Sequence, residues 1–256
     1  MCLINFHLHD HPNYKLIIAA NRDEFYKRPS APAQFWNSHP DILAGQDLVG
    51  MGTWLGITKT GRVAALTNYR DPEEDSSNKR SRGHIVRGYL ESDVSPQNFL
   101  HQLKNEKNAY SGFNFIAGTP EEIYYYSNIQ DDILSVSAGT HGLSNELLDS
   151  PWPKVVKGRK RLADYVQQNA VVETDSLFDI IADAEEAPDE ELPDTGVGLD
   201  FERKLSPLFI QTSDYGTRCS TVLLVDHQDQ VTFVERRFNK GVFADENRFS
   251  FKLHYT

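Results

Sequence analysis

A chain of 256 residues, 39% hydrophobic and 25% charged, is long enough for one large core or two small ones, and no apolar run approaches the ~18 residues of a membrane span. A formal charge of −11 argues against nonspecific nucleic-acid binding, and two cysteines make no disulfide framework and fit a reducing, cytoplasmic setting. The N-terminus has no basic n-region, and Asn5, His7, His9 and Asp10 interrupt any apolar h-region, so no signal peptide is read.

In chain order, residues 2–8 and 14–20 read as two strands, the second apolar on both faces, joined by the turn His9-Asp10-His11-Pro12-Asn13. A second hairpin pattern covers 53–58 and 62–69, with Lys59-Thr60-Gly61 at its tip. Residues 84–90 and 95–104 predict helices, the latter with Ser95-Pro96 as N-cap and first-turn pair. Three short strands follow near 113–117, 122–127 and 133–137. Pro153 starts a helix to about Gln168, and a shorter one is expected near 176–184. The stretch 173–200 holds much of the acid together with Pro188, Pro193, Gly196 and Gly198, and reads as a solvated helix end and loop. Strands return at 207–212, 219–225, 230–236 and 249–254. Strands in hairpins, with helices in a block between them, predict α+β with antiparallel sheets covered on both sides, in one domain spanning 1–256.

Chemistry concentrates at the start. Removal of Met1, which a small following residue favours, leaves Cys2 with a thiol and a free α-amine on one residue. The amine, with an ordinary pKa near ~8, can serve as base for a thiol near ~8.5. The plainer alternative is that Cys2 opens a buried strand as a small apolar side chain. With the first turn centred on His11, antiparallel partners sum to about 22, which sets Cys2 opposite Ala20. The chain then runs into Asn21-Arg22-Asp23-Glu24, within side-chain reach of the cysteine. If the strand continues, Asn21 and Asp23 share one face while Arg22 and Glu24 share the other. A carboxylate there could position both the amine and the thiol, or the cluster could simply end the strand.

These residues carry a resemblance over nearly the whole chain. Met-Cys-Leu-Ile at the start, Ala-Ala-Asn-Arg-Asp-Glu-Phe-Tyr-Lys-Arg-Pro at 19–29, Gly-Thr-Trp-Leu-Gly-Ile at 52–57, Ala-Ala-Leu-Thr-Asn-Tyr at 64–69, Gly-Leu-Ser-Asn at 142–145 with Pro151-Trp152, and Tyr-Gly-Thr-Arg-Cys-Ser-Thr-Val at 215–222 resemble the NRDE-motif family, that of transport and Golgi organisation protein 2. The resemblance implies an association with haem trafficking and with acyl-CoA and lipid homeostasis.

A more distant likeness speaks to chemistry. The layout is similar to the N-terminal-nucleophile hydrolases of the choloylglycine hydrolase and penicillin V acylase group, whose processed N-terminal cysteine attacks an amide. That likeness implies a four-layer αββα sandwich of two antiparallel sheets. It also implies that Asp23 corresponds to the group's acid, that Asn68 and Asn145 bind substrate and stabilise an oxyanion, and that Arg218 completes the site. Here Arg22 directly precedes the acid instead of lying three residues earlier, a departure from the group's pattern. Thiolate attack creates an oxyanion that preorganised amide donors are suited to stabilise, yet Asn68 and Asn145 also stand where turns are expected.

Remaining candidates are plainer. Asn21, Arg22 and Arg82 are read as substrate-binding; Arg82 belongs to a basic group with Lys79, Arg80 and Arg87 that could hold a CoA phosphate, a haem propionate or another anion. His9, His11, His84 and His141 are possible haem or metal ligands, but no Cys/His spacing marks a metal site and no cofactor is implied. The helix carrying Lys154, Lys157, Arg159, Lys160 and Arg161 reads as an amphipathic cover. Gly50-Met51-Gly52-Thr53 lacks the Lys-Ser or Lys-Thr of a phosphate loop, and Cys219 reads as core. The expected function is an N-terminal cysteine hydrolase of an amide or thioester of a small acyl-type substrate. The alternative is a non-hydrolytic haem or acyl-CoA carrier on the same scaffold.

Overall fold

Side-chain alternation along the first hairpin decides the layering in the computed structural model, which describes residues 2–254. Strand β1 (Cys2–Leu8) and strand β2 (Tyr14–Phe25) turn Ile4, Phe6, Leu8, Leu16, Ile18 and Ala20 toward one core. Ile17 and Ala19 of β2 face another core on the opposite side. A strand apolar on both faces must be covered on both, and this one is.

Strands β3 (Ser30–Phe35), β4 (Ile42–Asp47), β5 (Leu55–Thr58) and β6 (Val63–Asn68) follow, then helices α1 (Gly83–Glu91) and α2 (Pro96–Asn105). Next come β7 (Phe113–Thr119), β8 (Glu122–Ser127), β9 (Ile133–Ser135) and β10 (Gly139–Leu143). Helices α3 (Pro153–Gln168), α4 (Thr174–Ile181) and α5 (Leu199–Leu205) precede β11 (Tyr215–Asp226), β12 (Gln230–Asn239) and β13 (Val242–Lys252). A six-stranded sheet runs β10-β1-β2-β11-β12-β13 and a seven-stranded sheet runs β3 to β9 in sequence order, with antiparallel pairing throughout both. The two sheets enclose the first core; α1 and α2 cover the seven-stranded sheet through Ile85, Val86, Tyr89, Leu100 and Leu103, and α3 and α4 cover the six-stranded one through Leu162, Val166, Leu177 and Ile181. The expected αββα sandwich is present.

Several expectations are corrected. Cys2 pairs with Arg22, not Ala20, because His9 enters the left-handed region (φ 58°) and the turn centres on Pro12. The two-residue slip keeps every side chain on its expected face. Strand β2 runs five residues further than expected, since its Asn-Arg-Asp-Glu segment pairs with β11. Residues 207–212 form no strand beyond an isolated bridge of Gln211 with Gly216, and part of the acidic stretch is helix α5. Strands β3, β4 and β10 were not anticipated; Pro32 places β3 at an edge with irregular pairing. Met1, whose removal the nucleophile reading requires, lies outside the described residues. Among the described residues no helix is long and apolar enough to cross a membrane.

Candidate active site

Cys2 lines a cleft of about 380 Å³ bounded by the open end of the first hairpin, the 49–54 segment, Asn68 and the start of α1. Register places Arg22 directly opposite Cys2, so the two side chains share the cleft face. The Arg22 guanidinium lies 4.3 Å from the centroid of the Trp54 ring and only 6% of the residue is exposed. Its Nη2 is 3.9 Å from Glu24 Oε2, and its Nη1 makes no hydrogen bond among the described residues. Burial pushes the Cys2 thiol up, the Asp23 carboxylate adds to this, and the Arg22 charge opposes it. A thiol held in its neutral form needs a base before it can attack.

Asp23, one residue on, turns to the other face. It is buried and accepts a hydrogen bond from Thr217 Oγ1 at 2.8 Å. Burial pushes its carboxyl up, with Lys154 acting most strongly in the opposite sense. Asn21 shares that face. Its amide nitrogen donates to the Ile181 and Leu208 carbonyls, each at 2.8 Å, and its oxygen accepts from Ser220 Oγ. Those bonds tie β2 to the helix layer, so the Asn21 amide is not turned to the cleft.

The rim is basic. Arg28, Lys79, Arg80 and Arg82 line it with Arg22, against Glu24 and Asp47. Arg28 is engaged by Asp47 in a two-pronged pair at 2.9 and 2.7 Å, and Arg80 by Glu106 at 2.8 Å. Arg82 donates through Nη1 to the Gly112 carbonyl at 2.9 Å, and burial works against its charge. Backbones meet where the rim closes: a Cβ on Gly52 would come within 2.4 Å of the Gly83 carbonyl carbon. Only glycine allows that approach, which brings the start of α1 against Thr53.

The two asparagines play different structural parts. Asn68 ends β6 and lines the cleft. Asn145 is fully buried; its amide nitrogen donates to the Asn68 carbonyl at 2.8 Å and its oxygen accepts from Ser144 Oγ, which also donates to the Cys2 carbonyl at 3.0 Å. Asn145 therefore braces Asn68 and the first strand together. Arg218 is placed elsewhere: it lines a neighbouring cavity of about 200 Å³ with Cys219, Glu235 and Arg237, and its Nη1 donates to the Phe25 and Arg28 carbonyls. Trp54 borders both cavities. The histidines are dispersed, with His9 on the Pro120 carbonyl, His11 on that of Asn169, His84 on that of Gly50 and His141 on Asp149.

Sequence reading missed the buried charges behind the site. Arg70 and Glu202 form an ion pair at 2.7 Å, 6% and 3% exposed, and Arg70 lies 4.6 Å from the centroid of the Trp152 ring. Lys154 is buried beside Asp23, and Tyr215, half-buried as a residue, sets its buried hydroxyl near the same acid. One signal was available: Lys154 stands in line with the buried stripe Val155, Gly158, Leu162 and Val166.

The family model described as Transport and Golgi organisation 2 matches residues 1–240. Among curated relatives, the Transport and Golgi organization protein 2 homologs of Homo sapiens and Bos taurus are 37% and 38% identical, each over 92% of this chain and 92% of the relative. The Drosophila melanogaster protein of that name is 31% identical over 92% of this chain and 91% of its own length. Among solved structures, a variant of conjugated bile acid hydrolase from Clostridium perfringens superposes with a TM-score of 0.56 at 10% identity, covering 100% of this chain and 98% of the other. The Caenorhabditis elegans ortholog of N-acylethanolamine-hydrolyzing acid amidase gives 0.52 at 10% identity, over 87% and 92%. At such identities the likeness is one of fold: the N-terminal-nucleophile hydrolase sandwich.

Proposed function

The chain belongs to the Transport and Golgi organisation 2 family, and from that premise we propose that it is an N-terminal cysteine hydrolase acting on an amide or thioester of a small acyl-type substrate. The observation that carries the reading is Cys2 lining a basic cleft at the open end of the first hairpin. After loss of Met1, the Cys2 α-amine takes the thiol proton while Sγ bonds to the substrate carbonyl carbon. The oxyanion is stabilised by the Asn68 amide, braced by Asn145. Collapse breaks the C–N or C–S bond, the leaving group takes the proton from the ammonium, and an acyl-thioester remains. Water then adds to that carbonyl, gives its proton back to the departing sulfur by way of the amine, and releases the acid. Asp23 orients the amine from the opposite face, and Arg22 and Arg82 take an anionic part of the substrate. The fold relatives named above hydrolyse a conjugated bile acid and an N-acylethanolamine, which supports an acyl transfer on this scaffold.

A second reading is favoured by the basic rim together with the raised thiol: a carrier of haem or an acyl-CoA that performs no hydrolysis. One experiment separates them. The protein is incubated with N-acyl amino acids and acyl-CoA thioesters, and product and intact mass are followed in parallel. Hydrolysis with a transient acyl adduct, both lost in Cys2→Ala while folding is kept, is the expected result. Turnover undiminished in Cys2→Ala would falsify the nucleophile reading. Saturable binding without turnover in either protein favours the carrier.

A further inference from the structure

Behind the six-stranded sheet lies a charged group that the acyl-transfer scheme leaves unused. Lys154 occupies the second position of α3, and only 2% of the residue is exposed. The first turn of that helix packs on β1 through Val155, Trp152 and Leu3, so Lys154 enters beside the residue that follows the nucleophile. Asp23 of β2, Cys2 of β1, Arg70 from the loop after β6 and Glu202 of α5 act on its amine. Tyr215 of β11, half-buried with its hydroxyl out of solvent, interacts electrostatically with Asp23, Cys2 and Arg70.

Two of these charges are accounted for. Arg70 donates through Nη1 to Glu202 Oε2, which leaves the Lys154 ammonium with no hydrogen-bond partner among the described residues. A buried ammonium without a partner disfavours folding. Its leading favourable influence is Asp23, and Lys154 is in turn the leading favourable charge on Asp23.

We infer that Lys154 is a positioning residue of the Cys2 site: its ammonium, entering from the helix layer without a direct bond to the carboxylate, favours the ionised form of Asp23, which Thr217 holds in place, and Asp23 acts on the cysteine. This rests on the nucleophile reading of Cys2. Burial, with Arg70 behind it, draws the Lys154 amine down to about 8. The charge behind Asp23 is therefore lost just above neutral pH, well below the ordinary lysine range.

The test reads the thiol itself. Carbamidomethylation by iodoacetamide is followed by intact mass from about pH 6 to about pH 9.5, in a Cys219→Ser background so that only one thiol reports. Lys154→Met should move the midpoint of Cys2 alkylation by about one pH unit, with a rate change of about tenfold near neutral pH, and Lys154→Arg should restore most of it. A purely structural lysine would lower thermal stability and leave the midpoint where it was, and that result overturns the inference. Should Lys154→Met fail to fold, the lysine amine is titrated by NMR in wild type and Asp23→Asn, isotope-labelled at lysine. A lower midpoint in Asp23→Asn supports the pair; an unmoved midpoint overturns it. An inert Cys2 in wild type would end the nucleophile reading alone, and the lysine titration would still decide the Lys154–Asp23 pair.

Discussion

Asn68 and Asn145 look equivalent as letters, and the geometry separates them. Asn68 lines the cleft, whereas the Asn145 amide is spent on the Asn68 carbonyl and its oxygen on Ser144. Removing a cleft donor that acts on a developing oxyanion costs about a hundredfold or more in rate and little stability. Removing a buried donor leaves its acceptor unsatisfied, at about 1–3 kcal/mol. Asn68→Ala should therefore slow acyl-adduct formation about a hundredfold with a nearly unchanged urea midpoint. Asn145→Ala should lower the midpoint clearly. Equal losses of stability in the two variants would remove the distinction. That Cys2, Asn68 and Asn145 belong to one neighbourhood was legible in the sequence, because each sits in a short motif. The division of labour was not, because it depends on which carbonyl each amide meets across a sequence separation of 77 residues.

At the level of elements, the apolar run of β2 and the stripe of α3 were readable, since their periods of about 2 and 3.6 reflect what each face covers. Helix α5 was not. Its acids suggested solvent, yet Glu202 is buried and accepts from Thr195 as well as from Arg70. A lone sequence cannot show that an acid just beyond the 173–200 stretch meets an arginine 132 residues earlier. The pair binds α5 to the loop after β6, and the Arg70 backbone nitrogen donates to the Asn145 carbonyl at 2.8 Å. Breaking a buried pair from one side leaves an uncompensated charge, at about 3–5 kcal/mol. Glu202→Ala should lose stability on that scale, while Arg70→Met with Glu202→Leu together should recover a large part of it. Denaturant unfolding of the single and double variants checks this, and a single variant within about 1 kcal/mol of wild type would refute it.

On the scale of the whole molecule, one acid joins the two sheets. Glu235 of β12, 1% exposed, accepts from the Ala33 backbone nitrogen of β3 at 2.7 Å and faces Cys219. Burial raises its carboxyl to about 6 from an ordinary 4.5. Because the folded value lies above the unfolded one, the native state binds the proton more tightly. The folded protein thus carries a full penalty above pH 6, and relief is complete once pH falls below about 4.5. The difference corresponds to on the order of 2 kcal/mol. Glu235→Gln keeps an acceptor for Ala33 and removes the titration. Wild type should lose stability relative to Glu235→Gln by that order as pH rises from about 4.5 to about 7.5, with the change centred between the two values. Comparing the two proteins cancels the other carboxylates, which titrate in both. Urea unfolding at several pH values would measure it, and a difference that stays constant across the range would show that this joint between the sheets does not titrate.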